Sequence, residues 1–135
     1  MTLKLTNEKL DAVCKYLPYF ESKDFTPGAW ENMGEEDTAS FYNYNDMINE
    51  FIYELYEQGF IIGFNWPKWQ SEAMKYQKDP DLIDSADLLT IQKLLTLHIR
   101  KERFQEGHLA EIIKSGFLQK ILKRLVGLKE NTSSL

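Results

Sequence analysis

The chain has 135 residues, of which 43% are hydrophobic and 27% are charged. A chain of this length buries enough apolar surface for one domain without a structural metal, and its single cysteine excludes an internal disulfide. The net charge of −5 disfavours nucleic acid as a partner, and no apolar run approaches the roughly 18 residues of a membrane span. Because no charged and apolar leader opens the sequence, we expect a cytoplasmic protein without a membrane anchor.

The charge is unevenly distributed along the chain. Residues 1–90 carry 7 Lys and Arg against 17 Asp and Glu, whereas residues 91–129 carry 9 against 3. The favoured interpretation is that the basic second half attracts the acidic first half when the chain folds, which needs no ligand. The alternative is that this uneven charge steers a partner.

The first forty residues predict one helix and one irregular segment. Thr6 or Asn7 caps a helix that runs to about Leu17, where Pro18 ends it. Its apolar stripe consists of Leu10, Val13, Cys14 and Leu17. Residues 25–40 mix proline, glycine and acids, which predicts a long irregular connection.

The middle of the chain predicts two helices joined by either a short extended segment or a buried connector. The first runs from about Asn45 to Gln58 and ends at Gly59, a favourable left-handed stop. The apolar run of residues 60–66 interrupts the helical periodicity. A further helix then begins near Pro67, which suits a first helical turn.

Two tryptophans stand three residues apart at the start of that helix. Paired tryptophans can form a stacking groove for a base, a sugar or a side chain of a partner. They can equally attach the start of the helix to the core, and this structural interpretation is favoured. Both alternatives rest on Trp66 and Trp69.

The last third of the chain predicts a long helix, a short helix and a final amphipathic helix. Ser85 caps the long helix, which runs to about Phe104, and Gly116 ends the short one. Together the elements predict an all-α fold, an irregular bundle of five or six helices in one compact domain over residues 1–129. Residues 130–135 are expected to be a disordered tail.

Residues 99–109 concentrate charged side chains around a glycine. Arg100 and Arg103 lie one helical turn apart and could together bind a phosphate or a carboxylate, with His98, Glu102 and His108 nearby. The structural alternative is that this stretch joins two helices, its arginines pairing with neighbouring acids or with the last carbonyls of a helix. The structural alternative is favoured.

The chain lacks the residue patterns that most enzyme classes need. It contains no phosphate-binding glycine loop, no HExxH and no GxSxG motif. The spacing of His98, Glu102 and Glu106 is compatible with a divalent metal, but Gly107 interrupts the helix beside Glu106. We therefore predict no metal, no cofactor and no catalytic residue.

Residues Tyr44–Leu125 resemble a family of small bacterial and phage-associated proteins of unknown function. The resemblance rests on W-x-x-W at Trp66–Trp69, L-L-T at Leu94–Thr96, I-R-x-x-R-F-x-x-G-x-L at Ile99–Leu109 and I-L-x-R-L at Ile121–Leu125. It implies a compact helical domain of bacterial origin and transfers no activity.

Two functional hypotheses follow. The first is a non-enzymatic module that binds a protein partner or a second copy of itself, which suits the surplus of aromatic residues and the absent catalytic motifs. The second is a protein, either a binding protein or an enzyme, that takes a small anion or a nucleotide. In it Arg100 and Arg103 bind the anion and Trp66 or Trp69 stacks on a ring. Sequence-specific DNA binding is a distant third.

Overall fold

The computed structural model describes residues 6–32 and 40–133, which form seven α-helices, two 3-10 helices and one β-hairpin. The helices are α1 (Asn7–Cys14), α2 (Leu17–Glu21), α3 (Asp46–Glu57), α4 (Gln70–Lys78), α5 (Leu88–Lys101), α6 (His108–Lys114) and α7 (Phe117–Ser133). The strands are β1 (Gly28–Asn32) and β2 (Ser40–Tyr44), and the 3-10 helices cover Trp66–Trp69 and Pro80–Ser85. None of these helices combines the length and the apolarity that crossing a bilayer requires. The predicted helical domain is confirmed, with the hairpin as an addition.

The core forms around α7, which packs against α1, α2, α5, α6 and the second 3-10 helix. Its apolar residues recur as adjacent pairs, and such pairs repeated every four residues stay on one helix face. Core side chains without exposed surface include Val13, Ile48, Phe51, Leu55, Phe60, Ile91, Leu94, Leu109, Ile121, Leu122 and Leu125. The backbone of α7 is helical to Ser133, and the predicted disorder of residues 130–135 stays a prediction.

The first predicted helix is in fact two helices. α1 ends at Cys14, and Pro18 lies in the first turn of α2. Proline fits there because the N–H groups of a first turn have no partner within the helix.

Burial is the main cause that raises the pKa of Cys14 to about 11, so its thiol is protonated at neutral pH.

The segment predicted to be irregular, residues 25–40, instead contributes to a hairpin. Strand β1 pairs with β2 in antiparallel register, which places Trp30 opposite Tyr42. Their rings meet edge to face with centroids 5.3 Å apart, an arrangement that stabilises antiparallel pairs. A Cβ at Gly28 would lie 2.1 Å from a carbonyl oxygen of β2, so the pairing requires glycine there. Residues 33–39 lie outside the described residues.

Helix α5 begins and ends at other residues than the sequence predicts. Its cap is Asp87, whose Oδ1 accepts a hydrogen bond of 2.8 Å from the amide of Thr90. Ser85 instead ends the preceding 3-10 helix. An aspartate satisfies the first free amides of a helix with a full negative charge. The helix ends at Lys101 rather than near Phe104, because the chain turns there toward α6.

Candidate functional site

The chain turns between α5 and α6, and we call residues 102–107 the corner. Gly107 is the N-cap of α6 and has a left-handed backbone, with φ of 88°. Glycine adopts this conformation without strain. A Cβ on Gly107 would also lie 2.6 Å from Cζ2 of Trp30. The corner therefore needs a glycine both for its backbone angle and for the close approach of the hairpin.

The carboxylate of Glu102 holds the corner together through three hydrogen bonds. Its Oε2 accepts from the amide of Gly107 at 2.8 Å, and its Oε1 accepts from the amide of Leu109, also at 2.8 Å. The hydroxyl of Tyr44 donates to the same Oε1 at 2.7 Å. These bonds satisfy amides at the start of α6 that have no partner within the helix. Because Gly107, at the N-cap position of α6, has no side chain, Glu102 accepts the hydrogen bonds that an N-cap side chain would otherwise accept.

The hairpin is bonded to the corner by its second strand. The hydroxyl of Tyr44 accepts a hydrogen bond of 3.1 Å from the amide of Ala110, while the amide of Tyr42 donates to Oε2 of Glu106 at 2.6 Å. Burial, followed by the hydrogen bond to Glu102, raises the pKa of Tyr44. The corner carboxylates thus bind the hairpin and α6.

His98 and His108 form a buried pair behind the corner. Nδ1 of His98 lies 2.7 Å from Nε2 of His108. The ring planes differ by 12° and their centroids are 5.0 Å apart. This separation equals the N···N distance plus the distance from each ring centroid to its bonded nitrogen, so both nitrogens lie on the line between the centroids. The rings therefore lie edge to edge in nearly one plane, joined by an N–H···N hydrogen bond. Nε2 of His98 is buried without a hydrogen-bond partner in the described structure.

Burial keeps this pair uncharged at neutral pH. It is the main cause that lowers the pKa of His98 to about 3, with smaller contributions from His108 and Lys101. Burial also lowers the pKa of His108, against the opposing effects of Glu102 and Glu111. A general acid or base works best with a pKa near the operating pH and within reach of a substrate. His98, which is only 1% exposed, has neither property.

The two arginines that the sequence singles out have separate surroundings. Arg100 is half-buried, and its Cζ lies 5.8 Å from the centroid of the Tyr56 ring, a cation–π contact. Arg103 is exposed. Neither arginine forms an ion pair within residues 6–32 and 40–133, so the predicted pairing with neighbouring acids is not found there. The corner acids bind backbone amides and Tyr44 instead.

Trp69 belongs to an aromatic cluster on the surface of α4 and α5. Its ring meets Phe64 edge to face at 5.9 Å and is nearly parallel to Tyr76 at 6.4 Å. Nζ of Lys93 lies 5.6 Å from the Trp69 centroid and 5.7 Å from that of Phe64. The structural interpretation therefore accounts for Trp69, whose faces are in contact with the protein itself.

Trp66 instead lines a shallow groove of about 360 Å³ beside the corner. We call it the aromatic groove; its lining residues are Trp66, Pro67, Gln70, Lys101, Phe104 and Gln105. The rings of Trp66 and Phe104 are 5.9 Å apart. Phe104 is 79% exposed, more than any other large hydrophobic side chain described.

The predicted site residues therefore divide between three places. His98 and His108 pair behind the corner and Glu102 bonds within it; the arginines and Trp69 lie outside the groove, and Trp66 alone among the predicted residues lines it. Among the described residues, no group of three or more His, Cys, Asp and Glu has metal-binding geometry. The prediction omitted Lys101, Phe104 and Gln105. An aromatic residue within the charged stretch of residues 99–109 was the available signal for Phe104.

The family model DUF6508, described as a family of unknown function, matches residues 5–131. The chain belongs to DUF6508. The match includes every residue of the corner and of the aromatic groove, and it confirms the resemblance to a small domain family of unknown function. No curated protein and no solved structure matches the chain.

Proposed function

We propose that this DUF6508 chain is a non-enzymatic interaction module of the bacterial cytoplasm that binds a protein through the aromatic groove. The observation that carries the proposal is Phe104, which lies 79% exposed against Trp66. Aromatic anchors in surface pockets supply most of the binding energy in many protein interfaces. An exposed phenylalanine contributes nothing to the core, and contact with a partner would explain why an apolar side chain is placed there.

The backbone that carries part of the groove is held by hydrogen bonds within the chain itself. Phe104 and Gln105 belong to the corner, whose backbone is fixed by the hydrogen bonds of Glu102 to Gly107 and Leu109. A preorganised surface loses less conformational entropy on binding than a mobile one. The hydrogen bonds of the corner therefore support binding by the residues that the corner exposes.

The alternative, a small anion or nucleotide held by Arg100 and Arg103 with Trp66 and Trp69, has less support. Arg100 lies on Tyr56 and Trp69 contacts Phe64 and Tyr76. Neither arginine lines the groove that contains Trp66. Convergence of these groups on one cavity is what an anion site with a stacking ring requires.

Site-specific photo-crosslinking in the source cell tests the proposal. A benzoyl-phenylalanine in place of Phe104 should yield an adduct of discrete mass. The matched control is the same photoreactive residue in place of Leu89, which is 52% exposed at the other end of α5 and should yield none. No adduct at position 104, or equal adducts at both positions, would contradict the proposal.

A further inference from the structure

The uneven charge of the chain is only partly neutralised by folding. In α7, Lys120 pairs with Asp81 at 2.9 Å and Lys123 pairs with Glu21 at 2.9 Å, while Lys129 pairs with Asp11. The acids come from the acidic segment of residues 1–90, so the intramolecular interpretation accounts for these lysines. Two further charged surfaces lack such pairs within the part of the chain that the structure describes.

The first unpaired surface is the outer face of α3. This helix carries four acids and no basic residue. None of them forms an ion pair within the described part of the chain; they are Asp46, Glu50, Glu54 and Glu57. Tyr53, which is 63% exposed, lies between Glu50 and Glu54 and lines with them a shallow groove of about 470 Å³. We call Glu50, Tyr53 and Glu54 the acidic face.

The negative charge of this face changes the pKa of a neighbouring side chain. Burial, and then the charges of Glu50 and Glu54, raise the pKa of Tyr16, whose ring also lines the groove beside Tyr53. Lys15, the other charged lining residue, lies against the Tyr16 ring at 5.4 Å rather than in an ion pair with either glutamate. Since neither glutamate forms an ion pair among the described residues, both are available to an external cation.

The second unpaired surface is the aromatic groove itself. Lys101 lines it, Arg103 is exposed on the corner, and Lys68 is exposed on the 3-10 helix that carries Trp66. These three side chains form no ion pair with any residue that the structure describes. The groove thus combines an exposed aromatic side chain with unpaired positive charge. It is complementary to the acidic face, which has an exposed tyrosine between unpaired carboxylates.

We infer that the occupant of the aromatic groove is the acidic face of a second copy of this chain. Tyr53 of one copy packs against Trp66 and Phe104 of the other, and Glu50 and Glu54 approach Lys101 and Arg103. The inference rests on the proposed function and names its partner. The two surfaces share no lining residue, so each copy keeps one free groove or one free face. Where the remaining groove and face of a pair also meet, the two copies form a closed twofold dimer; where they do not, repeated contacts build open chains or rings.

Sedimentation velocity of the purified full chain tests this directly. We expect species larger than one 15.9 kDa chain at about 100 µM protein and low salt, with weaker association at about 0.5 M NaCl because the charges are screened. Phe104→Ser and Tyr53→Ser should each weaken association by about tenfold or more. Leu89→Ser, at another exposed apolar position, should leave it unchanged.

Charge exchange identifies the two surfaces as partners. Lys101→Glu with Arg103→Glu makes the groove acidic, and Glu50→Lys with Glu54→Lys makes the face basic. Each double variant should be monomeric alone because its two surfaces now repel, and an equimolar mixture should associate. Association of the mixture supports the inference; a mixture that stays monomeric overturns it.

The outcomes also separate this inference from the proposed function. A wild-type chain that is monomeric at about 100 µM overturns the second copy as the occupant. A crosslinked adduct at position 104 whose mass differs from two copies of the chain likewise overturns it, while supporting a different protein partner for the groove. An association that Phe104→Ser and Tyr53→Ser leave unchanged overturns it too, since neither surface then forms the contact.

Discussion

The hydroxyl of Tyr44 donates to Oε1 of Glu102 across 2.7 Å and accepts from the amide of Ala110 across 3.1 Å. Tyr44 ends strand β2, whereas Glu102 is the first residue of the corner and Ala110 lies in α6. One hydroxyl thus connects the hairpin, the corner and α6. Both of its bonds are partly buried, where an unpaired polar group is costly.

Tyr44→Phe removes this hydroxyl and leaves Ala110 and Glu102 each with one hydrogen bond fewer. We expect the free energy of unfolding to fall by about 2 kcal/mol, because one of the lost bonds is to a charged carboxylate. Urea denaturation measures the change. Tyr53→Phe is the matched control and should have little effect, since Tyr53 is 63% exposed. Equal losses in the two variants would refute the role of Tyr44.

Gly107→Ala should destabilise the protein more than Gly116→Ala. Both glycines have left-handed backbones, with φ of 88° and 85°, so alanine costs about 1 kcal/mol of backbone strain at either site. At Gly107 the new Cβ also meets the Trp30 ring at 2.6 Å, whereas at Gly116 nothing lies within 4 Å. Thermal unfolding should show the difference, and tryptophan fluorescence should report the displaced Trp30. Identical unfolding of the two variants would show that Trp30 moves aside without cost.

The stability of the protein should fall as the pH is lowered below about 6.5. His98 has a pKa of about 3 in the folded protein against 6.5 for an ordinary histidine. Between these values the unfolded chain binds a proton that the folded protein does not, so acid favours unfolding by up to about 1.4 kcal/mol per pH unit. The charged groups that act on the pair are Lys101, Glu102 and Glu111.

His98→Gln tests the origin of this dependence. The variant keeps a polar side chain but cannot be protonated, so its free energy of unfolding should change less steeply with pH than that of the wild type. Denaturant titrations at pH 6.5, 5.5 and 4.5 measure how steeply the free energy of unfolding changes with pH. Only these slopes are compared, so a difference in absolute stability between the variant and the wild type does not affect the test. Parallel profiles would assign the acid sensitivity to other groups.

Phe104→Ser should leave stability within about 0.5 kcal/mol of the wild type, because an exposed side chain contributes little to folding. The control is Phe117→Ala, which empties a position only 6% exposed and should cost about 3 kcal/mol or more. Differential scanning calorimetry distinguishes the two. A large loss from Phe104→Ser would mean that this ring supports the fold, and the case for a binding role would weaken.

Local sequence signals predicted several helices close to their observed bounds, but they misplaced the end of the first helix and both ends of α5. Helix α3 was predicted from Asn45 to Gln58 and spans Asp46–Glu57, since its cap at Asn45 and its stop at Gly59 act within a few residues. The hairpin was missed because the proline, glycine and acids of residues 25–40 are typical of an irregular connection. Neither strand has a strong pattern alone, and the pairing of Trp30 with Tyr42 cannot be read from either segment.

The sequence predicted candidate site residues as positions along the chain, without the contacts that they make. The sequence indicated residues 99–109 and the tryptophan pair, and the structure places Trp66 beside Phe104 near that stretch. It did not indicate that Tyr44 would bind Glu102 from 58 positions away. A contact of that range depends on how the elements pack, which no local periodicity encodes.

The sequence by itself determined the helical class, most helix ends and the stretch at which two helices meet, because caps, glycines and apolar periodicity act between near neighbours. Only the tertiary structure decided what each charged group in that stretch does. Glu102 and Arg103 are adjacent and equally polar, yet Glu102 accepts three hydrogen bonds inside the corner while Arg103 is exposed. The physical reason is that folding brings the amides of α6 and the hydroxyl of Tyr44 to one side of the turn, and a carboxylate, being an acceptor, is the group they bind.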